Sequence, residues 1–212
     1  SKNMNKIILI TIGLIAANFS FAQIKGVTET GEEVILYENG TWKYSNQNDL
    51  HEKEVQTNSK IFRKNNESTF LLKSNKLNVG IYINPKKWSF KRATDNPEAE
   101  YELQFKEGDL YGMVITEKVE IPLETLGIIA LENGKKVAPD LKIVKKEYRI
   151  VNGIKVLLLQ MNGTMKGIKI SYYGYYFSNS NGTIQFIAFT SQKLIENFKS
   201  ETEKLLNGIV EI

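Results

Sequence analysis

Few side chains in this sequence are equipped for chemistry. There is no cysteine and a single histidine, His51. A thiol nucleophile and a thiolate metal site are therefore excluded. Without a second histidine, a histidine-based zinc site and a Ser-His-Asp triad lack their parts. His51 lies among polar residues and reads as a solvated side chain. No G-x-S-x-G elbow, phosphate-binding loop or dinucleotide fingerprint occurs. No cofactor is expected, and an enzyme is the less favoured reading.

Carboxylates are the remaining catalytic material. Glu98, Glu100 and Glu102 alternate, so a regular strand would point them to one side. Glu117, Glu120 and Glu124 gather around a helix start. Two acids about 5–10 Å apart could hydrolyse a glycan. The simpler account is a solvated strand face and favourable charge near a helix N-terminus. For binding, the aromatic run Tyr172-Tyr173-Gly174-Tyr175-Tyr176-Phe177 is the best material, together with Trp88. Trp88, Tyr172, Tyr173, Tyr175 and Tyr176 are the candidate ligand- or partner-binding residues. Gly174 leaves room for close approach of another group. The competing account is a central strand that is apolar on both faces because both are covered.

Elements must position these residues, and the chain starts with one that does not fold into the domain. Lys2 and Lys6 precede an apolar run from Ile7 to Ala17, and Ser20-Phe21-Ala22 supplies small residues at a cleavage site. That order is a secretory signal over residues 1–22. The run is too short for a bilayer, which needs roughly 20 residues, and no stable membrane anchor is expected. Cleavage would leave 26 basic against 24 acidic groups, with Gln23 first. The basic clusters at Lys60, Arg63 and Lys64, at Lys86, Lys87, Lys91 and Arg92, and at Lys135, Lys136, Lys142, Lys145 and Lys146 then sit in a nearly balanced chain. Balance and export argue against nucleic acid. The expected location is the periplasm, with the extracellular medium as the alternative.

Residues 23–44 read as a small β-hairpin. Glu33 to Tyr37 and Thr41 to Tyr44 flank Asn39-Gly40, which supplies positive φ angles. The stretch GEEVILYENGTWKY resembles a segment of exported Bacteroidetes proteins. Residues 45–68 are polar enough to read as a linker. A folded domain is expected over 69–212. Its strands include Gly80 to Ile83, a Tyr101–Phe105/Tyr111–Thr116 hairpin, and Leu141–Val151 joined to Ile154–Met161 through Asn152-Gly153. Asn162-Gly163 and the residues to Gly167 read as a turn, and Ile168–Phe177 and Thr183–Phe189 as long strands. A helix follows Pro122 and stops at Asn133-Gly134. A closing helix is capped by Thr190 or Ser191, carries Leu194, Ile195, Phe198, Leu205 and Leu206 on one stripe, and ends at a left-handed Gly208. This is an α+β layered domain.

That order of elements resembles the PsbP-like superfamily. The resemblance rests on Gly80 to Trp88, on the hairpin leading to a mid-chain helix, and on the aromatic strand followed by Gly182-Thr183-Ile184-Gln185-Phe186 and Phe189-Thr190. It ends on Leu205-Leu206-Asn207-Gly208-Ile209. It implies an α/β/α sandwich with a mainly antiparallel sheet and a non-enzymatic, partner-binding role. No ligand residues of the plant members can be matched. The leading expectation is an exported module that binds an envelope protein or peptide. A carboxylate enzyme and a small-ligand carrier are the alternatives; the carrier requires an apolar pocket of about 300 Å³ or more between sheet and helices.

Overall fold

The computed structural model describes residues 24–28, 33–37, 40–44, 55–94 and 98–212. The signal segment 1–22, His51 and residues 45–54 of the expected linker lie outside them. The chain divides into two compact units, Ser1–Asn48 and Asp49–Ile212.

The smaller unit contains β1 (Ile24–Val27), β2 (Glu33–Leu36) and β3 (Trp42–Tyr44), paired antiparallel in that order. The expected hairpin is β2–β3, with Val34 opposite Tyr44 and Leu36 opposite Trp42. Gly40 has φ +80°, which an L side chain rarely adopts. β1 is an addition to the sequence reading. A lone hairpin is marginal, and a third strand relieves it.

The larger unit contains β4 (Thr57–Phe62), β5 (Phe70–Lys73), β6 (Val79–Ile83), β7 (Trp88–Arg92), β8 (Ala99–Phe105) and β9 (Tyr111–Glu117). Then come α1 (Leu123–Lys135), β10 (Lys142–Val151), β11 (Ile154–Met165), β12 (Ile168–Asn179), β13 (Gly182–Ser191), α2 (Ile195–Leu206) and β14 (Ile209–Glu211). Eight strands form one sheet in the order β4-β10-β11-β12-β13-β9-β8-β7. All its pairs are antiparallel except β4 with β10. β14, β6 and β5 form a second, three-stranded sheet.

The layers follow from strand alternation. Val156 and Leu158 join the core that contains Leu205 and Leu206 of α2 and Ile81 of β6. Leu157 and Leu159 join the core that contains Leu126 and Ala130 of α1. A strand covered on both faces must be apolar at every position, and all four of these residues are fully buried. Each such side chain stabilises the fold by ~1.5–3 kcal/mol. One face of the sheet therefore carries α1, and the other carries α2 with the small sheet.

Several sequence expectations are corrected. The domain begins before residue 69, because Thr57–Phe62 is an edge strand. Only Phe62 of β4 is buried; backbone pairing to β10 places it, so its polar composition gave no sign of a strand. Asn162-Gly163 does not turn. β11 continues to Met165, and the turn is at Lys166 (φ +50°) and Gly167 (φ +81°). Gly163 instead makes room for Leu141, whose Cα lies 3.0 Å from where a Cβ would stand. α1 runs through Asn133-Gly134 to Lys135. The N-cap of α2 is Leu194, because β13 extends through Ser191 and Thr190 donates its hydroxyl to the Asp109 carbonyl. The Asn152-Gly153 turn stands as expected, with φ +50° and +91°.

Candidate functional site

Strand register sets two rows of side chains across the α1 face of the large sheet. In the first, Met161, Tyr172, Phe189, Tyr111, Gln104 and Ser89 stand opposite one another in turn. In the second the sequence is Leu159, Gly174, Ile187, Met113, Glu102 and Lys91. Both rows are apolar near β11, aromatic or thioether in the middle, and polar at β7. α1 covers only the β11–β12 end. Gly127 lets it approach, since a Cβ there would stand 3.0 Å from Leu157 Cδ2.

Beside the C-terminal half of α1 lies an open cleft of about 400 Å³. Ala130, Met161, Ile187, Ile115 and Tyr172 line it with Tyr176, and the exposed Glu98, Asn133 and Lys136 edge it. A second depression of about 440 Å³ lies along β7, β8, β9 and β13. The two share Met113.

The Tyr176 ring sits close to where a Gly174 side chain would be, 3.3 Å from an added Cβ to Cε2. Its hydroxyl is buried and has no hydrogen-bond partner among the described residues. Burial pushes that hydroxyl's pKa up, so it stays a neutral donor. An unmet buried hydroxyl costs ~1–3 kcal/mol.

The five candidate binding residues separate. Trp88 is 3% exposed and packs on Phe105 at 5.2 Å. Tyr173 and Tyr175 face α2 and are 2% and 0% exposed. Their burial keeps all three from forming an exposed partner surface; the account of a strand covered on both faces holds for Tyr173 and Tyr175, while Trp88 is the one buried residue of the edge strand β7. Tyr172 and Tyr176 line the cleft beside α1. Tyr176 is fully buried behind the cleft wall, and its hydroxyl does not open into the cleft.

The main polar feature of the α2 face was not visible in the sequence. Arg149 has a side chain only 3% exposed. Its Nε donates to Glu147 at 2.6 Å, and Nη1 donates to the Tyr175 hydroxyl at 2.9 Å and to Glu203 at 3.2 Å. Nη2 donates to the Tyr173 hydroxyl at 3.1 Å. Tyr173 donates onward to Glu203 and Tyr175 to Asn207. The Phe62 ring lies 4.3 Å from the guanidinium carbon. These tyrosines are structural struts. Burial raises the Tyr175 hydroxyl to about 12 although Arg149 pulls the other way.

The paired-carboxylate arrangement does not form. A bulge between Ala99 and Tyr101 breaks the alternation. Glu100 accepts from the Asn75 N–H and side-chain amide and from the hydroxyls of Ser74 and Thr116. Glu102 pairs with Lys91 at 3.0 Å. Glu124 accepts from the Tyr148 hydroxyl, while Glu117 and Glu120 are exposed. Among the described residues no cluster of three metal-ligating side chains occurs.

Glu100 also sets an acid response. Burial alone would raise its carboxyl pKa, but its hydrogen bonds outweigh that and hold it low. Glu147 is held low against burial by its hydrogen bond from Arg149 and that residue's charge. A depressed folded pKa adds stability above the unfolded value of about 4.3 and loses it as pH falls through the folded value. Urea midpoints should thus be flat from neutral pH to about pH 5 and fall below about 4.3. In Glu100→Gln the midpoint should be lower at neutral pH and the acid slope shallower. An unchanged slope would remove Glu100 from this account.

No protein-family model matches the chain, and no curated protein matches it. Solved structures do. The cyanobacterial PsbP from Synechocystis is 14% identical with a TM-score of 0.50, the likeness covering 68% of this chain and 92% of that one. A Pseudomonas aeruginosa protein of unknown function is 12% identical, with coverages of 66% and 95% and a TM-score of 0.43. LpqN, involved in cell envelope biogenesis of Mycobacterium tuberculosis, is 9% identical, with coverages of 62% and 82% and a TM-score of 0.42. On the first of these likenesses, and on its mainly antiparallel sheet with a helix on each face, the larger unit has the PsbP-like fold.

Proposed function

We propose that the larger unit is a non-enzymatic binding module of an exported envelope protein, and that its ligand lies in the cleft between α1 and the sheet. One observation carries this: an open, largely apolar cleft of about 400 Å³, lined by Ala130, Ile115, Met161, Ile187 and Tyr172 and edged by Glu98, Asn133 and Lys136, lies between α1 and the sheet. Ligand sites fall within about 300–1,000 Å³ and combine an apolar lining with a few placed polar groups. The engaged state of Glu100, Glu102 and Glu124 supports a binding role over acid–base catalysis. Export rests on the signal pattern of residues 1–22, and the periplasm is the favoured location. The ion pairs Lys87–Glu201, Lys91–Glu102 and Lys145–Glu147 support a near-neutral surface and weigh against nucleic acid.

A protein or peptide partner is the second reading. It is favoured by Phe70 and Phe90, which are 42% and 41% exposed with ring centroids 5.3 Å apart.

The test of the cleft is titration with the apolar fluorophore 1-N-phenylnaphthylamine. Saturable one-to-one binding is expected, weakened by roughly tenfold or more in Ile115→Trp, which fills the cleft from a partly buried position. Circular dichroism and melting would show that the variant folds. Absence of saturable binding, or equal binding by the variant, would overturn the reading.

A further inference from the structure

The cleft beside α1 and the depression over β7–β9 meet at Met113, and their chemistry differs in a directed way. The α1 end offers Ala130, Leu141, Met161 and Ile187. The far end offers Ser89, Gln104, Lys91 and Glu102. Between them stand stacked aromatics: Tyr111 and Phe189 have centroids 5.6 Å apart at 25°, and Tyr172 follows Phe189 at 5.9 Å. Tyr111 remains 36% exposed, so part of its ring is open to a ligand.

Charge narrows the class further. Lys91 and Glu102, the charged pair of the polar end, sit 3.0 Å apart and neutralise each other. A site for an anionic or cationic head would leave one sign uncompensated. What this end presents instead is hydroxyl, amide and a paired ion couple beside an aromatic ring. Flat rings accept the C–H face of a pyranose, and mixed donors and acceptors meet its hydroxyls.

Resting on the cleft reading, we propose that the two adjoining depressions, which share Met113, together take a neutral amphiphile. Its aliphatic tail lies under α1 and its hydroxyl-bearing, sugar-type head lies over Tyr111, between Ser89, Gln104 and the Lys91–Glu102 pair. Met113, unbranched and flexible, packs at the junction of tail and head.

The test uses three amphiphiles with one octyl tail, each below its micellar concentration: octyl glucoside, octanoate and octyltrimethylammonium. Isothermal titration with the full chain should give octyl glucoside one-to-one binding about tenfold tighter than either ionic compound. In Tyr111→Ala/Gln104→Ala that margin should shrink to about threefold or less, while phenylnaphthylamine binding stays unchanged. Ile115→Trp should weaken octyl glucoside as it weakens the fluorophore. Equal affinities for the three heads, or an ionic head binding tightest, would overturn the neutral-amphiphile assignment. If the fluorophore still bound in an Ile115→Trp-sensitive way, the cleft itself would survive that result. Octyl glucoside binding indifferent to Ile115→Trp would overturn both.

Discussion

Replacing Arg149 with alanine is expected to lower the unfolding free energy by about 3–5 kcal/mol, the loss typical of removing one partner from a buried ionic network. The size follows from what stays behind. Glu147 retains Asn58 at 3.3 Å and Lys145 at 3.4 Å. Glu203 retains the Tyr173 hydroxyl, and Tyr175 retains Asn207. Each of these acceptors loses a charged donor, and the Tyr175 hydroxyl loses it in a fully buried place, while Glu147 and Glu203 keep part of their surface open to water. The Phe62 ring loses the guanidinium stacked against it. Such a loss is a large part of the roughly 5–15 kcal/mol that holds a domain folded.

Lysine should not rescue the position. An ammonium is a point charge, whereas this site uses Nε and both terminal nitrogens toward different partners. Urea unfolding followed by circular dichroism measures the cost. A loss below about 1 kcal/mol would mean the network is worth no more than a surface pair. The double variant Arg149→Met/Glu147→Gln should cost less than the sum of the single changes, because the second removes the carboxylate the first strands. Arg149 faces α2, and the cleft lies on the opposite face of β12. Folded Arg149→Ala should therefore bind phenylnaphthylamine as the parent does, which separates a stability role from a ligand role.

What the sequence made legible was whatever depended on local periodicity. The paired long strands β12 and β13, the Asn152-Gly153 turn and the α2 stripe all follow from spacing within one element. What it hid depended on pairing between distant segments. β4 is a strand because β10 offers it an edge, and nothing in Thr57–Phe62 needs to be apolar for that. The partners of Arg149 lie 24, 26 and 54 residues away along the chain. The one local sign was Glu147 and Arg149 alternating inside a strand that ends on buried Val151. Tyr172 and Tyr176 were legible as binding candidates, but their neighbours Phe189 and Met113 are set by register, and one step of slip would send a row to the other face. The burial of Tyr173 and Tyr175 was hidden because an aromatic strand reads alike whether its second face meets a ligand or a helix, and that of Trp88 because its packing on Phe105 is set by the pairing of β7 with β8.

Gly208→Ala should cost about 3 kcal/mol, combining an overpacked close contact with a lost backbone hydrogen bond. The sequence places this glycine as a left-handed helix cap, but it is absent from the residues with positive φ. Its reason is close approach. An added Cβ would stand 2.0 Å from the Tyr82 carbonyl oxygen and 3.0 Å from that of Leu205, both backbone atoms that cannot rotate away. The Tyr82 N–H donates to the Gly208 carbonyl at 2.8 Å, so pushing the strands apart also breaks the bond that aligns β14 with β6. Asparagine separates the two explanations. It tolerates the left-handed conformation, so a cap would accept Gly208→Asn at little cost. A close approach rejects any Cβ, and Gly208→Asn should then lose as much as Gly208→Ala. Thermal melts of the two variants beside the parent decide it. An asparagine variant that melts near the parent would restore the cap and remove the close contact as the reason this position holds glycine.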